Sequence, residues 1–199
     1  MSAPELHFWY EFSSPTSYLS AMRLDGLAQA KGVRTVWHPF LLGGMVQMQN
    51  PSPPPPDVAK VRADYMWRDA ERQARRYGLR FQKPSKFPRP AALAAQVALH
   101  GMGEGWGRDF SRKALAANFV EDLDIHDTKV VASLLARMDL NPEEIMKRAL
   151  TENNKFALQR ATEHAYEQGC FGVPTFVVKG EMFWGEDRLD QALEAAATA

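Results

Sequence analysis

Cysteine is almost absent from this 199-residue chain, where Cys170 stands alone. One thiol excludes an internal disulfide, a Cys-x-x-Cys redox pair and a cysteine-based metal cluster. Net charge is missing too, since 24 Lys and Arg are matched by 24 Asp and Glu. Neither a nucleic-acid groove nor a polybasic membrane patch is expected, because each needs a cationic excess, although a local basic site stays open. No apolar run approaches the roughly 18–20 residues that span a bilayer. Residues 1–12 lack the charged, then apolar, then small layout of a secretory signal, so the expected location is cytoplasmic. His7, His38, His100, His126 and His164 show no metal-ligand spacing, and no metal is expected. The length suits one domain, or one core with an insertion.

What is present reads in a definite order. Leu6 to Phe12 is aromatic-rich and alternates, with Leu6, Phe8, Tyr10 and Phe12 on one face and His7, Trp9 and Glu11 on the other, a strand pattern. Ser13-Ser14-Pro15 supplies a helix start, a capping serine followed by a proline whose missing N–H costs nothing there. Apolar residues at helical spacing run on to Lys31-Gly32, where glycine closes the helix. Val33 to Phe40 alternates again. Strand, helix, strand is the unit whose helix crosses over to make a parallel pair.

From Leu41 to Asp57 the chain is loop-like, with four consecutive prolines from Pro53 to Pro56. Repeats at three and four residues then predict helices over 57–77, 90–101, 105–118, 127–138, 142–150 and 151–168. After Gly169 the pattern changes to a hairpin of 174–178 and 182–184 around Lys179-Gly180-Glu181. A final amphipathic helix covers 187–197, with Asp187 as its N-cap and Leu189, Ala192 and Leu193 inward. This order is that of an α/β, thioredoxin-like fold with an inserted all-helical domain. Residues 1–45 and 169–199 make up the discontinuous thioredoxin-like part, and 57–168 the insertion.

Three places can carry chemistry. Ser14 lies where the first strand hands over to the first helix, where unpaired N–H groups and the helix dipole favour an anion. A disulfide oxidoreductase of this fold carries Cys-Pro-x-Cys here; this chain has Ser14-Pro15-Thr16-Ser17. Such hydroxyls cannot cycle through a disulfide but can donate a hydrogen bond to a ligand thiolate, and a serine there also caps a helix with no other task. Val173-Pro174 opens a strand after a long helix, a place where thioredoxin-like folds use a cis proline beside a peptide-like ligand and other folds simply begin a strand. Glu186 and Asp187 open the last helix and offer carboxylates to an ammonium group. Cys170 sits close to Pro174, and burial as a small hydrophobe is the expectation for it.

The run Phe8 to Leu19, the motif Tyr65-Met66-Trp67-Arg68-Asp69, and the segments Phe171-Gly172-Val173-Pro174-Thr175 and Trp184 to Leu189 together resemble the 2-hydroxychromene-2-carboxylate isomerase family, allied to the kappa-class glutathione transferases. The resemblance covers essentially the whole chain. It implies a glutathione-dependent isomerase of aromatic degradation, forming a homodimer, in which Ser14 contacts the glutathione sulfur. It further implies that Val173, beside cis-Pro174, pairs with the cysteinyl backbone and that Glu186 and Asp187 hold the γ-glutamyl end. Arg62 or Lys60 would meet the glycyl carboxylate, and Asn50 would line the site. A small aromatic substrate would enter a pocket between sheet and insertion formed by Trp9, Phe40 and Tyr65. A kappa-type transferase conjugating or reducing small electrophiles shares every glutathione-binding feature, and a glutathione-binding module without turnover is a third reading.

Overall fold

The computed structural model describes residues 4–44, 52 and 55–198. Strands β1 (Glu5–Tyr10) and β2 (Arg34–Pro39) flank helix α1 (Pro15–Ala30). Five helices follow: α2 (Pro56–Arg76), α3 (Ala92–Glu104), α4 (Gly107–Phe119), α5 (Thr128–Ala136) and α6 (Pro142–Ala149). Then come α7 (Glu152–Glu167), the hairpin β3 (Thr175–Val178) and β4 (Glu181–Trp184), a 3-10 turn (Glu186–Arg188) and α8 (Leu189–Ala197). No described helix is long and apolar enough to cross a membrane.

The sheet runs β2-β1-β3-β4, so β1 is central, parallel to β2 and antiparallel to β3. Alternation decides its faces. Leu6, Phe8 and Tyr10 are fully buried together with Trp37 and Phe176. Phe8 stacks on Phe176 with ring centroids 5.4 Å apart and meets Trp37 edge-on at 5.0 Å. Such pairs add about 0.5–1.5 kcal/mol each beyond the area they bury. This face packs against Leu19 and Leu24 of α1 and Leu189 and Leu193 of α8.

The opposite face carries Trp9, Val177 and the residue after β2, Phe40, which cluster with Ala165 and Cys170. The Leu41 N–H donates to Thr162 Oγ1 at 3.2 Å, tying α7 to the end of β2. The sheet thus lies between α1 and α8 on one side and α7 on the other, the thioredoxin-like layering that the element order predicts. Helix α7, which periodicity alone groups with the insertion, serves as the sheet's second cover.

Local chemistry explains the boundaries. Asp127, Asn141 and Thr151 each cap a helix by accepting a backbone N–H. The polyproline stretch ends by placing Pro56 at the first position of α2, after Pro55 in extended conformation. Gly32, at φ +65°, closes α1. Two expectations need correction. Helices α3 and α4 start two residues later than periodicity suggests and run further, because Gly105, at φ +85°, ends α3. Asp187 is not a helix cap. Gly185, at φ +112°, turns the chain directly after β4, so the 3-10 turn begins at Glu186 and α8 has no side-chain cap.

The insertion is joined to α1 by the segment before α3. The Tyr18 hydroxyl donates to the Arg80 carbonyl at 2.5 Å, and the Gln82 N–H to the Phe119 carbonyl at 2.7 Å. Tyr10 and Ser111 share a buried hydroxyl contact at 2.7 Å, linking β1 to α4.

Candidate functional site

Residues 11–14 form a tight turn between β1 and α1, closed by the Ser14 N–H donating to the Glu11 carbonyl at 3.2 Å. Ser14 is 8% exposed, and its Oγ accepts the Ser17 N–H at 3.1 Å. Ser14 Oγ also lies 2.9 Å from Thr16 Oγ1, whose hydroxyl donates to the Val173 carbonyl at 3.2 Å. Thr16 spends its one proton on Val173, so the Ser14 hydroxyl is the donor between the two. A polar chain therefore runs from the N-terminus of α1 to the Val173–Pro174 peptide, which is cis. The Pro174 carbonyl in turn accepts the Gly185 N–H at 3.0 Å. Three segments far apart in sequence meet within a few bonds.

They border a cleft of about 380 Å³. Helix α1 contributes Thr16 and Leu19; α2 contributes Tyr65, Asp69 and Gln73 at four-residue spacing, with Ala70; the far wall is Val173 and residues 184–187. The indole of Trp184 leans over Gly172, where a Cβ would come within 2.4 Å of Nε1, and is backed by Phe171 at 4.8 Å between ring centroids. Gln73 Oε1 is buried with no hydrogen-bond partner among the described residues. A buried acceptor left bare costs about 1–3 kcal/mol, so this atom is set for a donor.

The two carboxylates at the far end both line the cleft but differ from each other. Glu186 is 5% exposed and already engaged: Arg23 Nη1 stands 2.5 Å from its Oε1, and the Tyr77 hydroxyl also hydrogen-bonds it. Arg23 lies 3.7 Å over the Tyr77 ring and reaches Asp190 at 3.1 Å. Burial pushes the Glu186 pKa up, with Tyr77 and Arg23 opposing, while burial and the neighbouring Glu186 push Tyr77 up to about 12. Glu186 thus anchors the wall. Asp187, with its side chain 66% exposed and a partner in Arg188 at 3.2 Å, is open to the cleft, as is Asp69, whose partner is Arg72 at 3.1 Å.

The two candidate cations separate. Lys60 is exposed and bound to Asp64 at 2.6 Å. It stands nine residues before Asp69, half a turn away around α2, whereas Arg62 stands seven before and shares the Asp69 face. Tyr65 lines the cleft and is 60% exposed. Trp9 and Phe40 do not join it. Both are buried beneath α7, with Trp9 stacked on His38 at 4.2 Å and edge-on to Phe40 at 6.1 Å, on the other side of the sheet from the cleft, where Trp9 borders a separate cavity of about 220 Å³ with His38 and His164. Asn50 lies outside the described residues.

Outside the cleft, burial and the nearby His7 and His164 push the His38 pKa down to about 4, leaving a neutral imidazole 2.9 Å from His7. Burial pushes the Cys170 thiol up to about 11, so it is protonated and unreactive at neutral pH. Among the described residues no group of three or more His, Cys, Asp or Glu stands where it could hold a metal ion. Sequence reading misses Thr16, Asp69, Gln73, Trp184, Arg23 and Tyr77. Thr16 and Trp184 lie inside motifs already singled out, and Asp69 follows Tyr65 at helical spacing, but no local signal marks Arg23 or Tyr77.

A 2-hydroxychromene-2-carboxylate isomerase of Sphingobium xenophagum is 26% identical over 189 residues, covering 93% of this chain and 94% of that protein. Glutathione S-transferase kappa 1 of Caenorhabditis elegans is 26% identical over 207 residues, covering 93% and 87%. The solved structure of a 2-hydroxychromene-2-carboxylate isomerase superposes with a TM-score of 0.86 at 24% identity, covering 96% of this chain and 93% of that one. Residues 5–197 match the DSBA-like thioredoxin domain, and the chain belongs to that family.

Proposed function

We propose that this protein is a glutathione-dependent cis-trans isomerase of 2-hydroxychromene-2-carboxylate or a related aromatic-degradation intermediate. The observation that carries the reading is the hydroxyl chain Ser14–Thr16–Val173 at the start of α1, which reaches a cleft of peptide size through Thr16 and Val173, with serine at positions 14 and 17. The protein offers hydrogen-bond donors for a thiolate and no reactive thiol of its own. The sulfur comes with the ligand.

Glutathione would lie with its cysteinyl backbone along Val173 and its thiolate at the Ser14 hydroxyl, which would turn its one proton from Thr16 Oγ1 to the sulfur. A free thiol has a pKa of roughly 8.5, and lowering it by about two units corresponds to about 2.7 kcal/mol of preference for the anion. The γ-glutamyl ammonium would face Asp187, Asp69 and the bare Gln73 Oε1, with Glu186 holding their wall. The glycyl carboxylate would meet Arg62. In the reaction the thiolate adds to the conjugated substrate, forming a C–S bond as the ring opens. The former double bond rotates, and expulsion of the thiolate restores unsaturation in the trans isomer. Tyr65, Leu19 and Trp184 supply the apolar surface for an aromatic ring.

Incubation with 2-hydroxychromene-2-carboxylate, with and without glutathione, tests the assignment. A spectral change that needs glutathione and falls about 100-fold in Ser14→Ala is expected. Absence of any glutathione-dependent change would overturn the isomerase reading. The kappa-class relative favours a second reading, in which the thiolate displaces halide from an aryl halide to leave a stable thioether, or two glutathiones reduce a peroxide to alcohol and water and become the disulfide; turnover of those electrophiles and not of the chromene would select it.

A further inference from the structure

The peptide group joining Phe12 to Ser13 is held at both ends by buried polar side chains. On one side Asn118 Nδ2, from the last turn of α4, donates to the Phe12 carbonyl at 3.0 Å. On the other the Ser13 N–H donates to the carboxylate of Glu11, which also receives the Ser13 hydroxyl at 2.5 Å. Asn118 and Glu11 are both buried. A trans peptide points its C=O and N–H in opposite directions, so two such anchors fix the rotation of the plane.

The orientation of the Asn118 amide is itself fixed. Arg89 Nη1 donates to Asn118 Oδ1 at 2.8 Å, leaving only the NH2 group to face Phe12. The same guanidinium binds the carbonyls of Asp122 and Leu123, each at 3.1 Å, and the Asp122 carboxylate, so it cannot swing away without baring several acceptors. The Glu11 N–H donates to Ser17 Oγ at 3.4 Å, which binds the same turn to the first turn of α1.

We infer that Asn118, oriented by Arg89, and Glu11 are positioning residues that lock the Phe12–Ser13 peptide and thereby fix the start of α1 and the direction in which the Ser14 hydroxyl meets the ligand sulfur. The inference rests on the glutathione reading for its ligand and not for its geometry. Rotation of this one plane would move the residue before Ser14 and unsettle donors whose value lies in being fixed before the anion arrives.

The test compares the parent protein with Asn118→Asp, which keeps the Arg89 contact and the volume but has no donor for the Phe12 carbonyl. The pKa of bound glutathione, followed by thiolate absorbance, should rise by about one unit, a tenfold loss of thiolate at fixed pH. Amide hydrogen exchange at Ser13, Ser14 and Ser17 should quicken at least about tenfold while the α3 core stays protected. Glu11→Gln, which presents a weaker acceptor and leaves Asn118 in place, should move both readouts the same way by less, and it decides the matter if Asn118→Asp does not fold. An unchanged thiol pKa and unchanged exchange in a folded variant would overturn the inference. If the parent binds no glutathione, the functional reading fails and the exchange comparison still judges the lock.

Discussion

The two ends of the cleft hold their geometry by different means. At the Glu186 end a buried carboxylate is neutralised by Arg23 and a tyrosine hydroxyl, a charged knot joining α1, the end of α2 and the turn before α8. At the Ser14 end the buried carboxylate is Glu11, which is met by the hydroxyl and N–H of Ser13. One end meets its carboxylate with a cation and the other meets it only with neutral dipoles. A neutral donor array can receive an anion without first surrendering a counter-ion, whereas the charged knot is saturated and works as a wall. In the glutathione reading proposed above, the sulfur would lie at the Ser14 end, and at the Glu186 end a ligand charge would be met by the groups outside the knot, Asp187 and Asp69.

Breaking the charged end should have the largest effect. Arg23→Met leaves Glu186 buried without its cation, and urea unfolding should show a loss of about 3–5 kcal/mol. Adding Glu186→Gln to the same chain should return much of it. A wall that depended on Glu186 contacting the ligand would instead fail to bind glutathione in that double variant even after stability recovers.

Smaller changes sharpen the contrast. Arg62→Ala should raise the glutathione KM about tenfold by removing a charge-assisted contact, while Lys60→Ala, bound to Asp64 on the other side of α2, should stay within about twofold. Equal effects would show that the glycyl carboxylate does not meet the Asp69 face of α2. Gln73→Leu should weaken glutathione about fivefold in titration calorimetry and leave an analogue lacking the ammonium unaffected.

The neutral end carries a pH signature. Burial holds the Glu11 pKa above its unfolded value, so the folded chain binds that proton more tightly than the unfolded chain. The stability it contributes is fully present below the unfolded carboxylate value and is lost as pH rises through the folded one. As pH rises through and above the ordinary carboxylate range the parent should therefore lose stability relative to Glu11→Gln in denaturant titrations. A difference of the opposite sign would mean that the carboxylate has a cationic partner.

Much of this architecture is legible in the sequence because the information is local. Cap-then-proline pairs at Ser14-Pro15 and Asn141-Pro142 mark helix starts whatever surrounds them, and alternation in β1 separates Phe8 from Trp9. Alternation says which residues share a face but not what covers it. The rings of Trp9 and Phe40 therefore look like pocket walls in the sequence, whereas in the fold α7 lies over them. The Arg23–Glu186 pair spans 163 positions, and no window of sequence shows it. Asp187 has the residue type of a cap without the role, because the positive φ of Gly185 begins the turn one residue early.

The central place of β1 has a consequence for how the protein is made. Its two hydrogen-bonding edges are taken by β2, which follows it closely, and by β3, which pairs Thr175 with Trp9 from the other end of the chain. During synthesis one edge of β1 stays bare until most of the polypeptide has left the ribosome, carrying Phe8 and Tyr10 exposed beside it. An unpaired, aromatic strand edge is a template for unwanted association. Slowed elongation before residue 175 should lower the soluble fraction of newly made protein, whereas the same delay after residue 178 has emerged should not.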